Sequence, residues 1–139
     1  MHKVLLDTNV FIDWLRLGRH PDWVIGSAMG AVRFLSSVVL MELRLGADTL
    51  RRRRAVDRIR DSFPNGRWLA PGPAAFDRAA AVFRALHGDG SSMRDRLAAM
   101  DDILIALTAR EIGATLVTSN TGDFGRIAAE LPGLRVLEP

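Results

Sequence analysis

Apolar positions along the chain follow two spacings: short unbroken runs, and the three-to-four-residue recurrence of a helix face. The run from Lys3 to Leu6 predicts a strand, and Val10, Phe11, Trp14 and Leu15 give Thr8 to Leu17 one apolar face. Pro21 opens a second helix expected to reach about Ala31. Arg33 to Ser36 reads as a strand, and Val38 to Gly46 as a short helix capped by Ser37. Thr49 to Phe63 is helical with the stripe Val56, Ile59 and Phe63. After a turn at Pro64-Asn65-Gly66, Arg67 to Ala70 is a weak strand and Ala74 to Leu86 a helix. Gly88 to Ser92 is a loop joining helices, and Arg94 to Ile112 a long helix stopped by Gly113. Thr115 to Thr118 is a strand, Phe124 to Leu131 a helix, and Leu134 to Leu137 the last strand. Strands that alternate with helices in this way predict an α/β fold around a mostly parallel sheet.

Composition narrows the chemistry. A length of 139 residues predicts one domain over 1–139, large enough for a core without disulfides. The absence of cysteine removes thiol nucleophiles, redox motifs and Cys-ligated metals, and fits a reducing compartment. No apolar run approaches a membrane span, and Asp7 interrupts the N-terminus too early for a signal sequence. The expectation is a cytoplasmic protein with no membrane contact. Of 19 basic residues only Lys3 is a lysine, which excludes a Walker A motif and argues against Schiff-base chemistry. The net charge of +3 is uneven: Leu50 to Ser62 carries six arginines against Asp57 and Asp61. That leaves the rest of the chain slightly acidic, so a basic patch sits beside something anionic.

The acids fall where an α/β sheet gathers ligands, beyond the carboxyl ends of its strands. Asp7 follows the strand Val4-Leu5-Leu6 and reads equally as a helix cap. Glu42 lies in Val38-Val39-Leu40-Met41-Glu42-Leu43-Arg44-Leu45, where helical geometry sets its carboxylate among apolar neighbours. Unpaired there it would cost several kcal/mol or take up a proton, so it needs a cation, strong donors or a buried arginine. Asp101 and Asp102 point about 100° apart on a helix that is apolar nearly all round, so periodicity leaves the choice between them open. Asp123 follows the strand Thr115-Leu116-Val117-Thr118 and could simply cap the helix expected from Phe124. Placed together, Asp7, Glu42, Asp102 and Asp123 could converge on one sheet edge. Two carboxylates about 4 Å apart repel by roughly 4 kcal/mol at an effective dielectric near 20, so four require a divalent cation to stay ionised. With no cysteine and only His2, His20 and His87 scattered along the chain, the donors are oxygens, which suit Mg²⁺ or Mn²⁺ and the activation of water for phosphodiester cleavage.

These residues resemble the PIN-domain nucleases, and specifically the VapC-type ribonuclease toxins. Val4-Leu5-Leu6-Asp7-Thr8-Asn9-Val10 is similar to the family's first motif, and Ser36-Ser37-Val38-Val39-Leu40-Met41-Glu42-Leu43 with Gly46 to its second. Asp102-Ile103-Leu104-Ile105-Ala106 is similar to its D-x-x-I-A helix, which selects Asp102 over Asp101. Thr118-Ser119-Asn120-Thr121-Gly122-Asp123-Phe124 is similar to its T-x-N-x-x-D-F loop. The resemblance implies a three-layer α/β/α sandwich and a Mg²⁺- or Mn²⁺-dependent endoribonuclease. It makes Asp7, Asp102 and Asp123 metal-holding residues, completed by Glu42. Thr8, Thr118 and Asn120 become supporting donors, and Asp101 a further support for the metal. It also implies an RNA substrate, a cognate antitoxin and a homodimer.

Arg51, Arg52, Arg54 and Arg58 are candidates for tracking an RNA backbone, against the reading of a solvated face paired with Asp57 and Asp61. Phe11, Trp14 and Trp23 either pack in the core or receive an antitoxin segment. Two rival functions are a non-catalytic RNA- or antitoxin-binding module of the same fold and a D-x-D-type phosphatase. The phosphatase wants an acid where Asn9 stands.

Overall fold

The structure, a computed structural model, describes residues 2–25, 30–89 and 96–139. Five strands form one sheet in the order β3-β2-β1-β4-β5, and all four pairings are parallel. The strands are β1 (Lys3–Leu6), β2 (Val32–Ser36), β3 (Trp68–Leu69), β4 (Thr115–Val117) and β5 (Arg135–Leu137). Helices α1 (Thr8–Leu17), α2 (Pro21–Val24), α3 (Ser37–Leu45), α4 (Leu50–Asp61), α5 (Pro73–His87), α6 (Leu97–Glu111) and α7 (Thr121–Ala129) complete an α/β/α sandwich. The chain leaves β1 for β2 and β3 on one side and returns to β4 on the other, so the topological switch point lies between β1 and β4. Ligands collect at such a point, and Asp7 and Thr118 stand there.

The core explains the patterning. The central strand contributes Val4, Leu5 and Leu6, all essentially inaccessible, because a parallel strand covered on both faces must be apolar throughout. Helix α6 packs on β4 and on α3, α5 and α7, and every residue from Ile103 to Ala109 is buried. That enclosure accounts for its apolar circumference. The stripe Val56, Ile59 and Phe63 is buried as expected, and Phe11 meets Phe63 edge-on with ring centroids 6.4 Å apart. Phe11 and Trp23 are core residues.

Several boundaries move for identifiable reasons. Helix α2 is described over Pro21–Val24 with Ile25 at its C-cap, and the Arg33 guanidinium donates to the carbonyls of Trp23 and Val24. Residues 26–29 of the helix expected to reach Ala31 lie outside the described residues, as do 90–92 of the loop and the expected helix start at Arg94. Arg67 belongs to a 3-10 turn, Asn65–Arg67, that shortens β3. Helix α1 stops at Gly18, whose φ of 66° suits glycine and lets its N–H close on the carbonyls of Asp13 and Trp14. The cap of α3 is Ser36, not Ser37: its buried Oγ accepts from the N–H groups of Val38 and Val39 at 3.1 and 3.4 Å. Ser36→Ala should therefore cost about 1 kcal/mol in urea unfolding. Ser37→Ala should leave the midpoint unchanged, and an equal loss in both variants would contradict this cap.

Candidate active site

Asp7 carries both of its possible roles. It sits at the end of β1 in extended backbone and is 4% exposed, and its Oδ1 caps α1 by accepting from the Thr8 N–H at 2.8 Å. Its Oδ2 accepts from the Thr118 hydroxyl at 2.8 Å. That direction is fixed by the neighbours. The backbone N–H of Asn120 donates to Thr118 Oγ1 at 3.0 Å. The Ser119 N–H donates to Asn9 Oδ1 at 3.3 Å, which turns the Asn9 amide nitrogen toward Thr118 Oγ1, also at 3.3 Å. With both lone pairs engaged, the single Thr118 proton goes to Asp7. Burial raises the Asp7 pKa, and the Thr118 and Thr8 hydrogen bonds oppose that rise.

Glu42 is half-buried on α3, and the Thr8 hydroxyl donates to its Oε1 at 2.7 Å. Burial raises its pKa against that hydrogen bond, with smaller contributions from the Asp101 and Asp7 charges. The buried-arginine alternative does not hold among the described residues: Arg44, the nearest in sequence, reaches Asp57 at 2.6 Å.

The two residues of the Asp101-Asp102 doublet differ in their surroundings. Asp102 is pushed up to about 7, first by burial and then by the charges of Asp7, Glu42, Asp123 and Asp101. It forms no hydrogen bond or ion pair among the described residues. Asp101 is raised by burial alone, and its charge acts on Glu42 and Asp102. Asp102 therefore feels four neighbouring carboxylates, whereas Asp101 is shifted by burial alone.

Asp123 is exposed in the first turn of α7, which begins at Thr121 rather than Phe124. The cap is Asn120, whose Oδ1 accepts from the Asp123 N–H at 3.3 Å, so Asp123 does not cap the helix. The Asn120 amide donates to Asp123 Oδ2 at 3.0 Å, and Arg126 pairs with Oδ1.

Asn9, Ser119 and Arg126 also shape this site, although sequence reading gave them no role in it. The available signal was that Asn9 and Ser119 follow directly on Asp7-Thr8 and Thr118 at adjacent strand ends. Among the described residues no three His, Asp or Glu side chains stand as they are in an arrangement that holds a metal ion. The donor set nonetheless fits a hard divalent cation: it is all oxygen, electrostatically crowded, and Asp7, Glu42 and Asp102 form no ion pair among the described residues.

In the basic helix α4, Arg52 is held by Asp48 and Arg60 by Asp57 and Asp61, while Arg51, Arg54 and Arg58 form no ion pair among the described residues. Arg51, Arg52, Arg54 and Arg58 are all exposed.

The profile of the PIN domain matches residues 4–130. A search of the curated proteins finds no match. Among solved structures, VapBC2 from Rickettsia felis, bound to a DNA fragment from its promoter, is similar with a TM-score of 0.72 and 20% identity over 99% of this chain and 98% of that one. DNA-bound VapBC from Salmonella typhimurium gives 0.69 and 23% over 99% and 98%. FitAcB from Neisseria gonorrhoeae gives 0.67 and 24% over 96% of each chain. At these identities the likeness is one of fold.

Proposed function

Since the chain belongs to the PIN domain family, its profile spanning residues 4–130, we propose that the protein is a divalent-metal-dependent endoribonuclease and the toxin of a toxin–antitoxin pair. The observation that carries this reading is the gathering of Asp7, Glu42, Asp101 and Asp123 around Asp102: their charges together with burial push its carboxyl up to about 7, and it has no ion pair to offset them among the described residues. Asp7, Asp102 and Asp123 would hold Mg²⁺ or Mn²⁺, with Glu42 completing the set and Asp101 supporting it. A bound cation there supplies Lewis-acid polarisation of a phosphoryl oxygen and a nucleophile at neutral pH.

The chain's own groups supply orientation and a proton acceptor. Thr118, with its proton fixed toward Asp7, keeps that carboxylate in place as an acceptor. Thr8 holds Glu42 Oε1 and leaves Oε2 to orient the attacking water and receive its proton, a task suited to a carboxylate whose basicity burial has raised. In-line attack forms a new P–O bond and breaks the bond to the 3′ oxygen, which takes up a proton and leaves 5′-phosphate and 3′-hydroxyl ends. Arg51, Arg54 and Arg58, with Arg52 beside them, would contact RNA phosphates.

The fold shared with VapBC and FitAB assemblies supports a cognate antitoxin as partner. Homodimerisation rests on the family resemblance, and no helix among the described residues is long and apolar enough to cross a membrane. A non-catalytic RNA- or antitoxin-binding module is the second reading, favoured by the lack of a metal-holding arrangement among the described residues.

The test is incubation of antitoxin-free protein with single-stranded RNA in Mg²⁺ or Mn²⁺, with the ends of the products sequenced. Cleavage that stops on chelation supports the nuclease. RNA retention without turnover at high protein concentration supports the binding module.

A further inference from the structure

One carboxylate of the acidic cluster already holds a cation. Of Asp7, Glu42, Asp101, Asp102 and Asp123, only Asp123 is ion-paired among the described residues, and its partner is Arg126, one turn along α7. Both Asp123 oxygens are engaged: the Asn120 amide donates to Oδ2 at 3.0 Å, and the Arg126 guanidinium donates to Oδ1. The two donors are not equally held. Asn120 is fixed at two further points, since its backbone N–H reaches Thr118 Oγ1 at 3.0 Å and its Oδ1 caps α7 by accepting from the Asp123 N–H at 3.3 Å. The Arg126 side chain is 68% exposed and has no other hydrogen bond or ion pair among the described residues.

We propose that Arg126 is the built-in counter-ion of the acidic cluster: it occupies on Asp123 the position a divalent cation needs, and the cation must displace it to enter. The inference rests on the metal reading above and adds which residue sets the threshold for loading. A dication and a guanidinium on one carboxylate oxygen repel each other, so they do not share it. Asn120 cannot yield without uncapping α7 and losing Thr118, which leaves Arg126 as the group that swings away. The charge of Asp123 acts on Asp102, so the oxygen that Arg126 vacates belongs to the same cluster. Loading is then an exchange in which Asp123 passes from the guanidinium to the ion, and Arg126 returns to solvent. An ordinary surface pair at this spacing would stabilise α7 slightly and leave metal affinity untouched.

The experiment measures Mn²⁺ binding to the full chain by calorimetry at low ionic strength, with no RNA present. Arg126→Gln, which removes the charge and keeps a polar side chain, should bind Mn²⁺ about five-fold more tightly than wild type, a modest factor because an exposed ion pair is a weak competitor. Arg126→Lys keeps the charge and should stay within about two-fold of wild type. In about 0.5 M salt, where exposed charges are screened, the advantage of Arg126→Gln should shrink to about two-fold or less. In an Asp123→Asn background, which removes the shared carboxylate, Arg126→Gln should alter the Mn²⁺ Kd by less than about two-fold. Titration of the isotope-labelled wild type with Mg²⁺ should shift the arginine Nε–H resonance that Arg126→Gln lacks, with the midpoint of metal binding.

Wild-type affinity in Arg126→Gln, or weaker binding in both Arg126→Gln and Arg126→Lys, would overturn the proposal. So would an undiminished gain from Arg126→Gln in the Asp123→Asn background, which would assign the effect to overall charge. Each of these results leaves the metal reading standing. That reading falls together with the proposal only where neither wild type nor Arg126→Gln binds Mn²⁺.

Discussion

Asp102→Asn should lower Mg²⁺-dependent RNA cleavage by at least about 100-fold with the fold intact, and Asp7→Asn should do the same. Removing one preorganised electrostatic group from an active site typically costs a factor of 10²–10³, and each substitution deletes one of the charges that would hold the cation. Asp102 is the cleaner test. It receives no hydrogen bond among the described residues, and an amide of the same shape leaves the packing of α6 undisturbed. Asp7→Asn does more than remove charge. Its Oδ1 can still cap α1, but its amide would then meet Thr118 Oγ1, which already accepts from Asn9 and Asn120. Initial rates with purified protein, together with circular dichroism of both variants, check this. Full activity in both would remove the carboxylates from the reaction.

The second large effect is on stability and runs opposite to activity. In chelating buffer the wild-type protein should lose stability as pH rises from about 4 to 7 and level off above that. The Asp102 carboxyl titrates at about 7 in the folded chain, against an ordinary value of 3.8. Between those values the folded state holds a proton that the unfolded state has released. Its contribution is complete below 3.8 and is lost as pH climbs through 7. A shift of one pKa unit corresponds to about 1.4 kcal/mol, and discounting for solvent screening at a partly exposed group leaves an effect of about 2 kcal/mol. Asp102→Asn should therefore be more stable than wild type by about that amount at pH 8, several degrees in Tm, with the gap closing only as pH falls to about 4. Adding Mn²⁺ at 100 times its Kd should return about 2.7 kcal/mol to the wild type and much less to the variant. Coincident melting curves for the two proteins at pH 8 would show that Asp102 does not feel its neighbours' charge.

Much of this architecture was legible because it is local. The run Val4-Leu5-Leu6 ending in an acid declares a buried strand and its exit, and Thr115-Leu116-Val117 declares a second strand whose exit loop leads to Asp123. Long-range features were less accessible. The Thr118–Asp7 hydrogen bond spans 111 positions, and only the pairing of β4 with β1 brings those residues together. Helix α6 is enclosed by four elements, so its apolar circumference could not tell Asp101 from Asp102; the charges acting on Asp102 come largely from residues distant in sequence. The hydrogen bonds from Arg33 on β2 to the carbonyls at the end of α2 are likewise set by tertiary packing, which no helix propensity records. At α3, two adjacent serines offer the same chemistry, and only backbone geometry selects Ser36.

The order of the strands carries a consequence for synthesis. A polypeptide emerging from its amino end presents residues 7, 42 and 102 well before it presents the hydroxyl that orients the first of them. Only when the fourth strand docks beside the first does that alignment exist, so the carboxylate cluster of a nascent chain stays unassembled until this late, non-local pairing closes.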